Sequence, residues 1–282
     1  MKYRRKSVQK LFVLLLALMS VFQTVQADML EYYMMGILPS IAQNRSAKIL
    51  FLHHSTGEVV YYGGIGVESW IQNYNALHGT GYTIRDRYFP SGDPYPWDNY
   101  PYDYWNIWVN HAGTVPYMEE PTLEMLAPEY DLIVWKHCFP VSEIGPDSGM
   151  PDIASDSRQL QNYYLQYNAL KSRMHAFPHT KFLVWTGAAL TEASTTEAQA
   201  QRAQTFFNWV KNSWDEAGDN IFVWDFYSLE TEGGLYLPLK YAEGAYDSHP
   251  NATFAGMAAP LFSQRMVDVI EGRGERGSLT GK

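Results

Sequence analysis

Two short stretches carry the residue types that do chemistry. The first, KILFLHHSTGEVVYYGG over residues 48–64, climbs through apolar residues to His53, His54 and Ser55, followed by Thr56 and Gly57. The second, AYDSHPNATFAG over residues 245–256, holds Asp247 and His249 with one residue between them and Pro250 behind. A serine becomes a nucleophile when a base takes its proton and a carboxylate orients that base. Ser55, His249 and Asp247 supply those three types. Ser55 directly after an apolar strand also lies near a turn or helix N-terminus, where free backbone N–H groups can receive an oxyanion. Each stretch also has a plain structural reading. Ser55 could cap the next helix, and Asp-Ser-His could be a surface turn.

The same residues admit a metal site, because His53, His54, Asp247 and His249 are all zinc-ligand types. Adjacent residues on an extended strand point to opposite faces, so His53 and His54 do not easily share one ion. The expectation is therefore no metal and no cofactor. Cys138, the single cysteine, follows an apolar run, but no motif pairs it with a base. A third, non-catalytic reading is a glycan-binding module. Its support is FPSGDPYPWDNYPYDYWNIWVNHAG over residues 89–113, where Trp97, Tyr104 and Trp105, with Tyr95, Tyr100, Tyr102 and Trp108, have the ring types that stack on sugars. The competing reading packs those rings into the core, where most large aromatics go.

The elements that must position these residues follow from periodicity. Residues 48–53, 82–89, 131–135, 181–185 and 220–226 read as strands, most of them short apolar runs. Apolar residues at helical spacing over 67–77, 160–174, 203–214 and 254–270 read as helices between and after them. Ser194 and Glu197 have capping-box spacing. Strands alternating with helices predict a parallel sheet covered on both faces. In such a sheet ligands bind beyond the carboxyl ends of the strands, where Ser55 falls. Residues 90–121 read as an elaborated loop or lid, and the polar tail after Gly272 as frayed.

The chain has 282 residues, 46% hydrophobic and 18% charged, enough for one domain with a sizeable core. Lys2, Arg4, Arg5, Lys6 and Lys10 precede a short apolar run over residues 11–21 and small residues at Val25 and Ala27, the pattern of a cleaved secretory signal over residues 1–27. Residues 28–46 then read as a leader, residues 47–271 as the main domain, and residues 272–282 as the tail. The net charge is −9 before those basic residues are removed, so nucleic acid and anionic membranes are poor partners. No stable membrane anchor is expected after cleavage. The expected location is periplasmic or secreted, with a bacterial envelope favoured by the lack of a possible internal disulfide. The tripeptides at Asn44 and Asn251 fit the glycosylation sequon but carry little weight.

Over roughly residues 47–271 the chain resembles the SGNH/GDSL hydrolase superfamily. ILFLHHSTG is similar to that family's first block, with His53-His54 in place of the familiar Gly-Asp, and DSHPN is similar to its last block. The resemblance implies a flavodoxin-like three-layer α/β/α sandwich with a five-stranded parallel sheet. It also implies ester hydrolysis, often deacetylation of carbohydrates, through Ser55, Asp247 and His249. An acylated carbohydrate or other small ester is then the expected substrate. Two departures stand out. The last block has one residue between Asp and His where the family has two. The third strand runs into KHCFPVSE, without the family's Gly-x-Asn-Asp, whose Asn supports the oxyanion. His137, Cys138 and Ser142 remain as substitutes, and Gly92 and Gly113 both remain for the second-block glycine.

Overall fold

The computed structural model describes residues 45–96 and 99–282. The segment expected to be a signal and most of the expected leader, together with Asn44, Trp97 and Asp98, lie outside them. The chain opens with β1 (Ser46–His53), a strand buried along nearly its whole length. It passes into α1 (Ser55–Tyr61) and α2 (Val67–His78), and returns as β2 (Gly81–Tyr88). Short helices α3 (Pro101–Trp105) and α4 (Leu123–Leu126) precede β3 (Leu132–Lys136). Then come α5 (Leu160–His175), β4 (Lys181–Trp185), α6 (Glu197–Trp209), β5 (Ile221–Trp224) and α7 (Phe226–Glu230). A hairpin of β6 (Ala242–Gly244) and β7 (Asp247–Pro250) leads into the long α8 (Ala252–Ile270).

The main sheet has five strands in the order β2-β1-β3-β4-β5, all parallel. This is the expected α/β fold with helices on both faces. The alternation of each strand builds two separate cores. Leu50, Leu52, Ile133, Trp135, Phe182, Val184, Ile221 and Val223 face one way, against α3, α5 and α6. Ile49, Phe51, Leu132, Val134, Leu183, Trp185, Phe222 and Trp224 face the other, against α1, α2 and α8. Burial on both faces is why these strands read as unbroken apolar runs rather than alternating ones.

The chain leaves β1 for β2 on one side and then crosses to β3 on the other. That switch opens a crevice between the carboxyl ends of β1 and β3, where the class binds its ligands. Residues 46–282 form one compact unit. Among the described residues no helix is long and apolar enough to cross a membrane.

Three expectations change. The Asp247–His249 segment is a strand of a hairpin, not a turn. The polar tail is not frayed: the Leu279 carbonyl accepts the Asp225 N–H at 2.8 Å, and the Thr280 carbonyl accepts the Trp224 indole N–H at 3.1 Å. Buried Arg265 holds the same segment through the Gly274 carbonyl. The aromatic stretch is not a lid of exposed rings. Tyr95, Tyr100, Tyr104, Trp105 and Trp108 are all buried, and Asp103 and Asn106 are spent inside the stretch on the Tyr95 hydroxyl.

Candidate active site

Ser55 is the first residue of α1, one residue beyond the end of β1. At that position the backbone N–H groups of Ser55 and Thr56 have no carbonyl of their own helix to bond. The turn is tight because Gly57 donates its N–H to the His54 carbonyl at 2.7 Å. Only glycine fits there: a Cβ on Gly57 would stand 2.5 Å from His53 Cβ and 2.8 Å from Lys136 Cδ. The first turn of α1 therefore rests directly on the end of β3.

His53 and His54 take opposite faces, as strand geometry requires. His53 Nε2 meets Asp86 Oδ2 at 3.1 Å, and His54 Nε2 donates to the Pro90 carbonyl at 2.5 Å. Burial lowers both pKa values, that of His54 to about 4, so both rings are neutral at ordinary pH. Among the described residues no group of three or more His, Cys, Asp or Glu is arranged to hold a metal ion.

Asp247 and His249 meet because β7 is extended. Residues two apart in a strand share a face, so both side chains turn outward while Ser248 between them turns in. His249 Nδ1 lies 2.6 Å from Asp247 Oδ1, and that oxygen also accepts the His249 backbone N–H at 3.0 Å. These bonds, the backbone one first, lower the Asp247 pKa. The contact leaves Nε2 as the ring's free nitrogen, facing away from the carboxylate. The single-residue spacing, a departure from the family pattern, is thus met by a strand.

The inward side of the hairpin is anchored. Ser248 Oγ accepts the Thr191 N–H at 3.0 Å, and the Thr191 hydroxyl donates to the Ala245 carbonyl at 2.6 Å. Thr191 closes the segment leaving β4. That segment is held in turn by buried Glu230, whose Oε1 accepts the Ala189 N–H at 2.7 Å.

One dipeptide joins the two arms. Cys138 Sγ lies 2.9 Å from Ser55 Oγ, and the ring of Phe139 meets the His249 ring edge to face, with centroids 4.7 Å apart. The hairpin strand β7 also packs on α1. Among the described residues no hydrogen bond joins Ser55 Oγ to His249 Nε2; the hydroxyl is turned to the sulfur instead.

The other expected site residues fall elsewhere. His137 is fully buried, with Nε2 2.8 Å from the Tyr167 hydroxyl and its ring against Tyr104 and Trp135, so it turns into the core. The Ser142 hydroxyl donates to the Ala188 carbonyl at 2.6 Å. Gly92 is buried on the segment leaving β2, whose Pro90 carbonyl is held by His54. Gly113 lies beyond α3, its carbonyl held by the Thr122 hydroxyl. Tyr104 donates its hydroxyl to the Lys136 carbonyl at 2.9 Å in a fully buried position, and Trp105 packs on Tyr102. Neither ring is available for stacking on a sugar.

Residues that the motifs did not single out complete the site. Lys136 is an interior lysine ending an apolar strand, and Asn99 links the exits of β2 and β3. The Asn99 amide donates to the Phe89 carbonyl at 2.6 Å, and its own carbonyl accepts the Cys138 N–H at 3.0 Å. The signal for Lys136 was its place in DLIVWK; Asn99 stood out only as a polar residue of the aromatic stretch, suited to sugar hydroxyls, and is spent on backbone instead.

No protein-family model matches the chain, and no curated protein matches it. Solved structures similar to it include an acetyl xylan esterase, at 15% identity and a TM-score of 0.46, covering 75% of this chain and 96% of that one. A gut microbial diltiazem-metabolizing enzyme is similar at 13% identity and a TM-score of 0.43, covering 78% of this chain and 46% of that one. The chain thus spans less than half the length of the second.

Proposed function

We propose that the protein is a serine ester hydrolase of the SGNH/GDSL kind. The observation that carries this reading is the Asp247–His249 contact of 2.6 Å in a hairpin packed on the helix that Ser55 opens. In the proposed reaction Ser55 Oγ leaves Cys138 Sγ for His249 Nε2, which takes its proton as Oγ attacks the ester carbonyl. Asp247 holds the imidazole in the tautomer with hydrogen on Nδ1 and stabilises the imidazolium. The Ser55 and Thr56 N–H groups at the start of α1 are the donors nearest the developing oxyanion. His249 then returns the proton to the leaving alkoxide, and water repeats the sequence on the acyl-enzyme.

The proposed substrate class is an acylated, chiefly acetylated, carbohydrate. The His249 and Asp247 side chains are 32% and 54% exposed, which suits an acyl group presented on a large carrier better than a ligand enclosed in a cavity. The residue pattern of positions 1–27 supports export, where such carriers occur. Wild-type protein should hydrolyse p-nitrophenyl acetate, and Ser55→Ala and His249→Ala should each abolish that activity. Wild-type rates in Ser55→Ala would reject the reading. A panel of acetylated polysaccharides, scored by acetate release, tests the substrate class.

A further inference from the structure

Lys136 stands at the carboxyl end of β3 with its side chain fully buried. It shares the sheet face of α1 and α8, a layer of Phe51, Trp185, Trp224 and Phe262. An ammonium in such a layer is costly unless something requires it. Among the described residues no carboxylate is in ion-pair contact with Nζ. The buried carboxyl in its field, Glu230, is committed to the Ala189 N–H, and burial pushes its pKa well above the carboxylate range. The Trp185 ring lies 5.8 Å from Nζ, and among the described residues the hydrogen-bond partner of Nζ is the His54 carbonyl at 3.5 Å.

That carbonyl belongs to the same peptide group as the Ser55 N–H. It already accepts the Gly57 N–H, so two donors converge on it. A cation on the oxygen of a peptide draws electrons from its nitrogen and makes the N–H a stronger donor. In a low-dielectric layer the charge also acts directly on the oxyanion beyond that N–H. The bare Cα of Gly57 permits the approach, since a Cβ there would collide with the Lys136 side chain.

Resting on the ester-hydrolase reading of Ser55, we propose that Lys136 acts through the His54–Ser55 peptide as the fixed charge of the oxyanion site. It takes up the role left by the absent asparagine after β3. It is a positioning residue, one peptide removed from the substrate.

The test compares p-nitrophenyl acetate hydrolysis by wild type, Lys136→Met and Cys138→Ser across pH 6–10, with melting temperatures for each. Lys136→Met should lower kcat by about tenfold to a hundredfold, less than the roughly hundredfold to thousandfold of losing an oxyanion donor outright because the lysine acts one peptide removed, with KM nearly unchanged. The pH profile carries the readout that a merely structural role would not move. Burial lowers the Lys136 pKa to about 8, so the cation is present below that pH and lost above it. Wild-type kcat should therefore fall as pH rises through about 8, and this limb should vanish in Lys136→Met.

The titratable groups facing Lys136 are His53 and His54 from β1, His137 and Cys138 beyond β3 and Glu230 from α7. Burial lowers the pKa of all three histidines, and Cys138→Ser removes the thiol as a control. A limb that persists in Cys138→Ser assigns it to Lys136. If Lys136→Met does not fold, the wild-type and Cys138→Ser profiles decide: no limb, or one that disappears with the thiol, overturns the proposal. Wild-type kcat and an unchanged limb in folded Lys136→Met overturn it while Ser55 keeps its role. Wild type no more active than Ser55→Ala overturns both.

Discussion

The hairpin that carries Asp247 and His249 should owe its position to the residue between them. Ser248 is 4% exposed and Thr191 is fully buried, so the bond of 3.0 Å from the Thr191 N–H to Ser248 Oγ is shielded from water. Ser248→Ala removes the acceptor and leaves that backbone N–H without a partner. The cost of an orphaned buried donor is about 1–3 kcal/mol. The hairpin keeps its second anchor, the Thr191 hydroxyl on the Ala245 carbonyl, so it should shift rather than unfold. A displacement of roughly 1 Å at a catalytic base costs on the order of a hundredfold in rate. Urea denaturation of Ser248→Ala should show a stability loss of that size at unchanged m-value, and kcat for a small ester should fall far more than KM. Ser248→Thr, which keeps the hydroxyl, should recover most of both. Wild-type stability and kcat in Ser248→Ala would refute the account of how this hairpin is held.

Trp105→Ala, in a ring position 6% exposed, should destabilise by about 3–5 kcal/mol and damage small and polymeric ester substrates alike; a selective rise in KM for a glycan would revive a stacking role. Glu230 has its pKa raised by burial, so it stays protonated in the folded chain while the unfolded chain ionises. Stability should therefore fall as pH rises above the ordinary carboxylate range, and Glu230→Gln should flatten that slope in denaturation measured from pH 5 to 8. Removing residues 274–282 deletes the carbonyls that satisfy the Asp225 N–H and the Trp224 indole, and should lower the melting temperature by several degrees.

Much of the fold was legible because the strands are buried on both faces. DLIVW, KFLVW and NIFVW could not be anything polar-sided, and each became a strand of the sheet. The helix of residues 160–174 was equally plain from its spacing. The pair Asp247 and His249 was visible, but not its strand geometry, because β7 is four residues long and sits in a two-stranded hairpin with β6. The aromatic stretch misled in its chemistry. Tyr, Trp and Asn suggest a sugar surface, yet Tyr104 and Trp108 pack on Phe89 and on Trp135 of β3, and Trp105 is buried in the same core. Lys136 was hidden by its neighbours. A lysine ending an apolar strand normally reaches solvent, and only the close approach at Gly57 shows why this one cannot.

The central claim is that Ser55 is a nucleophile activated by His249. The most direct measurement is covalent labelling of the full-length protein with a fluorophosphonate, read by mass spectrometry of the digested protein. The label should add to the peptide holding Ser55, at a rate that falls by orders of magnitude in His249→Ala with its melting temperature intact. A label on another residue, or a Ser55 that reacts equally well without His249, would contradict the account.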